Sequence, residues 1–503
     1  MNHPIKIRRR FPVRSGIGTA TVADTGTGTD LRNATIALGL MALLGVALIF
    51  LFPGSPEQDT DYHFLEARSA WSNPWLFVDV WGRPLYTTFY ALPALLGFTV
   101  ARFFAVGIGL VTAWQTWRLA GDLCLERAWL VIPLLLGQPV FFELFPDLLT
   151  EPLFALVFVV ALRWHLRGRT KLGMLAASLL PLARPEGVFL CVIWGVWVVS
   201  KSVRSPTCPP VPVYRNLIRN VPSTLILVTG VFSWWIAAAC ITRDPLFILH
   251  NWPATWHQDV YGRGTLFSYI QRAPEFTGLL LAVPFVVGLW CKMRSPTWIP
   301  LTTSFLLFFL LHTVFRAYGL FGEAGYPRYM VSVAPVIAAL SLAGWNTVAR
   351  WIAPRSRLSG ALGSTILGLS LVQNLLYLDS FSAARDPIAI REMSGWLQQH
   401  PKPYQRLVWS NARMCIVSGL NLVQSPSLSS PNREATLALL RNAPSGTLVF
   451  WDNHFGPGWF GLTAGDIEEN GYQRVRTRAY SLPGVVIGDA GRRDVELSLL
   501  FKP

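Results

Sequence analysis

Residues 34–52, ATIALGLMALLGVALIFLF, form an unbroken apolar run, and Asp59-Thr60-Asp61-Tyr62-His63 follows it closely. Nineteen apolar residues suffice for a membrane helix. The stretch from Glu57 to Pro84 then holds Glu57, Asp59, Asp61, Glu66 and Asp79 against only Arg68 and Arg83. Carboxylates are scarce in this chain, so their crowding at the mouth of a membrane helix marks the first loop.

The rest of the composition agrees. Of 503 residues, 52% are hydrophobic and 14% charged, against about 25% charged in soluble domains. Mean hydropathy is +0.39. The expected class is an α-helical polytopic membrane protein. The net charge of +15 does not indicate nucleic acid, because no basic patch lies in a segment of soluble composition. Six cysteines without a CxxC pair give neither a disulfide framework nor a zinc site; only Cys240 and Cys415 have positions from which a bridge is conceivable.

Apolar runs at 34–53, 98–119, 128–145, 149–164, 171–184, 187–200, 221–241, 276–291, 298–315, 329–349 and 360–378 predict about eleven spans. Leu85 to Leu96, interrupted by proline and preceded by Trp71, Trp75 and Trp81, reads as an interfacial helix. Alternating the spans from a basic cytoplasmic tail (residues 1–33) puts the basic loops 163–171, 200–220, 291–297 and 350–359 inside. The first loop, 54–97, and the segment after residue 378 then fall outside. Residues 379–503 mix helical pieces (388–399, 432–442) with β-like runs (406–409, 447–451, 484–487), which predicts a small extracytoplasmic α/β domain. The domain expectation is therefore a tail 1–33, a membrane domain 34–378 and a C-terminal domain 379–503.

Asp59 and Asp61 are the leading catalytic candidates. Carboxylates at i and i+2 have the groups to share a divalent cation, or one can serve as base beside the other. Solvated loop charges are the simpler alternative. Asp147 and Glu151 offer a second acidic site, although a carboxylate at a helix start also answers to the helix dipole. Arg184 and Arg328 lie at outer ends of spans and suit a lipid phosphate, since arginine binds phosphate bidentately and stays charged; Arg102 and Arg316 read better as structural. His63, His250, His257 and His312 lack a metal-ligand spacing.

The order of motifs resembles the GT-C superfamily of integral-membrane glycosyltransferases. Asp59-Thr60-Asp61-Tyr62 is similar to the DxDY form of the GPI-anchor mannosyltransferases. Trp81-Gly82-Arg83-Pro84-Leu85 resembles the close of the same loop in bacterial and protein-O-mannosyl members. Ala101-Arg102, Thr150-Glu151-Pro152, Leu182-Ala183-Arg184-Pro185-Glu186-Gly187 and Pro327-Arg328-Tyr329-Met330 resemble further recurrent stretches, so the likeness runs from about residue 34 to 350. The paired Asp-Glu of the protein-O-mannosyl branch is missing, which leaves the acceptor open: glycan, lipid or protein.

The resemblance implies transfer of a mannose-like hexose from a polyprenyl-phosphate donor to an acceptor hydroxyl. Between a bacterial plasma membrane and the endoplasmic reticulum, the lack of eukaryotic retention signals and the composition of the tail favour the bacterial membrane. Asp59 or Asp61 would be the base, and no metal would be obligatory. A transporter or flippase for a lipid-linked saccharide is the competing expectation. It would need the same spans and boundary arginines but no base.

Overall fold

The computed structural model describes residues 28–52, 58–204, 221–253, 256, 261–352, 357–382, 386–400, 406–417, 433–453, 455–482 and 493–503. Most of the tail expected at residues 1–33, the β-like run at 484–487 and His257 lie outside them.

Among the described residues, five helical stretches are long and apolar enough to cross a membrane: Gly28–Leu51 (α1), Phe98–Asp122, Pro222–Thr242, Ile299–Tyr318 and Pro327–Trp351. Shorter apolar helices occupy Thr170–Ala183, Gly187–Ser200, Ala282–Lys292 and Leu362–Leu375. Exposed Leu40, Leu43 and Phe50 on α1 show the side-chain character of a lipid-facing surface. Where a full span was expected at 128–145, the chain forms three short helices, Ala128–Leu130, Val131–Leu136 and Pro139–Leu144. Proline explains the break before Pro139, because it lacks an N–H and fits only the first turn of a helix.

Between α1 and Phe98–Asp122 (α4) come two further α-helices, Gln58–Ser69 (α2) and Pro84–Leu95 (α3), with a short 3-10 helix, Pro74–Val78, between them. The α3 helix falls where Leu85 to Leu96 was expected to be helical. The acidic stretch expected as a loop is instead helical. Asp59 and Asp61 fall in the first turn of α2, where the positive end of the helix dipole favours them.

Close helix contact depends on small residues in places. An added Cβ on Gly344 would overlap the carbonyl oxygen of Pro284, and one on Gly288 would overlap that of Leu340. The helices carrying these glycines approach backbone to backbone, as small residues allow in membranes. Gly344→Val is expected to cost about 1–3 kcal/mol through overpacking, read as a lower thermal midpoint in detergent.

The C-terminal unit contains a four-stranded sheet of order β1-β2-β4-β3, built from Arg406–Trp409 (β1), Thr447–Asp452 (β2), Gln473–Leu482 (β3) and Arg493–Phe501 (β4). β1 and β2 are parallel, with helix Arg433–Asn442 in the connection, and the other pairings are antiparallel. Every residue of β2 is buried, which is why its run of apolar residues was readable. β3 carries Arg474, Arg476 and Arg478, charges that suit an edge strand but hide its strand character. Cys240 and Cys415 are free thiols.

Candidate active site

The cavity that collects the chemistry-bearing residues has a volume of about 330 Å³. One wall is α2, which contributes Asp59 and His63. Trp81 and Arg83 come from the turn before α3. Thr150 and Glu151 open the helix Thr150–Leu166, with Pro152 in its first turn. Arg184 and Glu186 occupy the break between two apolar helices; Glu323 and Tyr326 precede the span Pro327–Trp351, and Arg328 and Tyr329 lie at its start. Val188, Phe189, Phe315 and Phe321 form an apolar side.

The polar groups are cross-linked. Arg328 pairs with the Asp59 carboxylate. Arg184 holds Glu151 at 2.7 Å and Glu186 at 2.9 Å, and donates to Thr150 Oγ1 at 3.2 Å. Arg328 Nε lies 3.8 Å from Glu151 Oε1. Tyr329 presents its ring to both guanidiniums, with centroid distances of 4.9 Å to Arg184 and 5.8 Å to Arg328. Behind it, Glu323 accepts from Tyr269 at 2.6 Å and bonds His312 Nδ1 at 2.9 Å. Arg83 lies 4.7 Å over the ring of Trp256 and donates to Val80 O at 2.8 Å.

Charge and burial set the protonation states. Burial raises the Asp59 carboxyl, but the neighbouring Arg328, aided by His63 and Arg184, outweighs it and holds Asp59 below its ordinary range. Asp59 also stays open to the cavity, its side chain 41% exposed. Glu186 is brought down to about 2, because Arg184 and His312 outweigh its burial. Burial lowers Arg83 to about 10, helped by Arg184 and opposed by Glu186 and Glu151. Burial likewise pushes His63 down to about 3, against the pull of Asp59, and its ring stacks on Trp81 at 4.5 Å.

The His63 shift has a definite sign. Its folded value lies below its ordinary value of 6.5, so the unfolded chain binds the proton first. The stability it contributes is complete above about pH 6.5 and is lost as the pH falls towards 3. His63→Phe preserves a ring on Trp81. It is expected to make the fall of the thermal midpoint between pH 6.5 and 3 shallower than in the unaltered protein.

Of the candidates read from the sequence, Asp59, Glu151, Arg184 and Arg328 meet in this cavity. Asp61 and Asp147 do not line it. Residues two apart on a helix point about 200° apart, and Asp61 turns away to Arg413 of the C-terminal unit at 2.5 Å. Burial raises its carboxyl to about 7, opposed by Arg413 and reinforced by Asp147. Asp147 accepts from Thr60 Oγ1 at 3.0 Å. The two aspartates are thus held by different arginines on opposite sides of α2, rather than facing one shared ion. Among the described residues, no group of three or more His, Cys, Asp or Glu side chains stands close enough to hold a metal.

Arg102 donates to Pro146 O at 3.0 Å and also to Phe52 O. Arg316 donates to the carbonyls of Tyr261, Gly262 and Glu323. Both arginines hold loop backbone. Glu323 and Tyr329 were missed as site residues, although each lies within five residues of Arg328; Arg83 stood in a quoted motif without a role.

No family model and no curated protein sequence matches the chain. Solved structures do. The apo crystal structure of ArnT from Cupriavidus metallidurans aligns with a TM-score of 0.58 at 13% identity, covering 92% of this chain and 98% of that one. The same protein bound to undecaprenyl phosphate aligns with a TM-score of 0.60 at 12% identity, covering 94% and 98%. At such identity the likeness speaks for the architecture alone, which extends over both the helical bundle and the C-terminal sheet: this chain has the fold of ArnT.

Proposed function

We propose that the protein is an integral-membrane glycosyltransferase that moves a sugar from a polyprenyl-phosphate donor to an acceptor hydroxyl on the extracytoplasmic side. The observation that carries this reading is the joining of Asp59, Arg184 and Arg328 around one cavity that also has an apolar side. An anionic headgroup would find the guanidiniums there, and a prenyl chain would find Val188, Phe189, Phe315 and Phe321. The undecaprenyl phosphate bound to the structural neighbour supports a donor of this class.

In the proposed reaction Asp59 takes the proton of the acceptor hydroxyl. The resulting oxygen attacks the anomeric carbon as its bond to the phosphate oxygen breaks. Polyprenyl phosphate departs with the bonding pair, and Arg328, Arg184 and Arg83 stabilise its charge. A single displacement inverts the anomeric centre. The sugar is proposed as a hexose of mannose type on the motif resemblance, and the membrane as a bacterial plasma membrane.

The test is reconstitution in liposomes with a labelled polyprenyl-phosphate hexose on one side and acceptors of each class. Transfer with inversion is the expected result. Movement of the lipid across the bilayer without transfer would instead make the protein a flippase, and transfer with retention would rule out the single displacement.

A further inference from the structure

Helix α2 faces two neighbours at once. Asp59 and His63 look into the cavity, while Asp61 and Tyr62 meet the C-terminal unit. Arg413, which holds Asp61, comes from the short helix Ala412–Val417 that follows β1. Its setting is rigid: Asn411 Oδ1 accepts from the Arg413 amide at 3.0 Å, and Ser410 Oγ donates to Asp452 Oδ2 at 2.6 Å at the end of β2. The Phe98 ring lies 4.6 Å from the guanidinium, and Trp409 meets Tyr62 edge-on at 5.9 Å. The ion pair is nearly sealed, with side-chain exposures of 6% for Arg413 and 4% for Asp61. On the bundle side Thr60 is tied to Asp147.

A buried ion pair is a weak source of stability, because desolvation offsets most of its attraction. Its position is nevertheless restrictive, since one close contact, Arg413 Nη2 to Asp61 Oδ1 at 2.5 Å, is made between two side chains sealed from solvent. At the outer radius of a helix, about 5–6 Å, a roll of about 20° moves a side-chain atom by about 2 Å. Any roll that slackens Asp61 therefore displaces Asp59 on the other side.

We propose that Arg413 is a positioning residue for the transfer reaction: by gripping Asp61 it fixes the roll of α2 and so aims Asp59 into the cavity. The C-terminal unit thereby becomes part of the machinery without touching the reacting atoms. This inference rests on the reading of Asp59 as the base.

The test uses the full-length protein in liposomes with a labelled polyprenyl-phosphate hexose, and compares Arg413→Met with the neutral pair Asp61→Asn/Arg413→Met. Misplacing a reacting group by about 1 Å can cost about 10²-fold. Arg413→Met is therefore expected to lower kcat by about that factor, while donor KM stays within about threefold because Arg184 and Arg328 are untouched. The neutral pair is expected to regain the thermal midpoint without regaining kcat. Hydrogen exchange of amides 58–69 should quicken about tenfold in both variants, as local opening becomes easier.

If the neutral pair recovers full kcat, Arg413 merely compensates a buried charge and the proposal fails. Unchanged exchange over 58–69 overturns it as well. That readout needs no turnover, so absence of transfer in the unaltered protein would sink the functional reading while exchange still decides the role of Arg413. Should Arg413→Met alone not fold, the neutral pair carries the same decision.

Discussion

Asp59→Asn is expected to lower kcat by about 10³-fold, within the roughly 10²–10⁴-fold range that a positioned general base contributes. The substitution keeps the shape of the side chain and removes its ability to take a proton. Arg328, which pairs with Asp59 in the free protein, would lose a competitor for the donor phosphate. Donor affinity should therefore hold or improve while turnover collapses, a separation that titration with an unreactive polyprenyl phosphate would reveal. Asp61→Asn supplies the contrast. It disturbs the grip on α2 but leaves the carboxylate at the cavity in place, so its loss should be smaller and relieved in part by pairing with Arg413→Met only as far as stability goes. Equal transfer by Asp59→Asn and the unaltered protein would remove Asp59 from the reaction.

The contrast between the two aspartates shows where sequence reading stops. The spacing of Asp59 and Asp61 suggested two equivalent carboxylates because a loop imposes no direction on its side chains. Once the segment is helical, the same spacing separates them by about 200°, and only one lines the cavity. The other candidate positions were legible for a local reason. Glu151 precedes Pro152, Arg184 precedes Pro185, and Arg328 follows Pro327. Proline breaks or opens helices, so a charge beside it belongs at a helix end. Arg413 carried no such sign, lying in a segment of mixed composition far along the chain from its partner. The apolar runs placed the bundle, but not the short helices between residues 128 and 144, whose burial by neighbours frees them from having to span the bilayer alone.

Arg328→Met is expected to lower kcat/KM by about 10²-fold, the worth of one or two charge-assisted hydrogen bonds at about 1.5–3 kcal/mol each. Its effect on pH dependence is more revealing. In the free protein burial raises Asp59, but Arg328 together with His63 and Arg184 outweighs it and holds Asp59 below its ordinary range, so Asp59 remains a carboxylate to low pH and is a correspondingly weak base. A donor phosphate that engages Arg328 would draw that guanidinium away. Burial then acts with less opposition and raises Asp59, strengthening the base only when there is a sugar to transfer. The profile of kcat/KM reports the free enzyme and that of kcat the bound complex. The acidic limb of kcat is therefore expected at higher pH than that of kcat/KM. In Arg328→Met the limb of kcat/KM should move up, since the free carboxyl has lost its partner, and the two limbs should draw together. Coincident limbs in the unaltered protein would show that the Asp59–Arg328 pair persists through turnover and that the arginine does not pass to the phosphate.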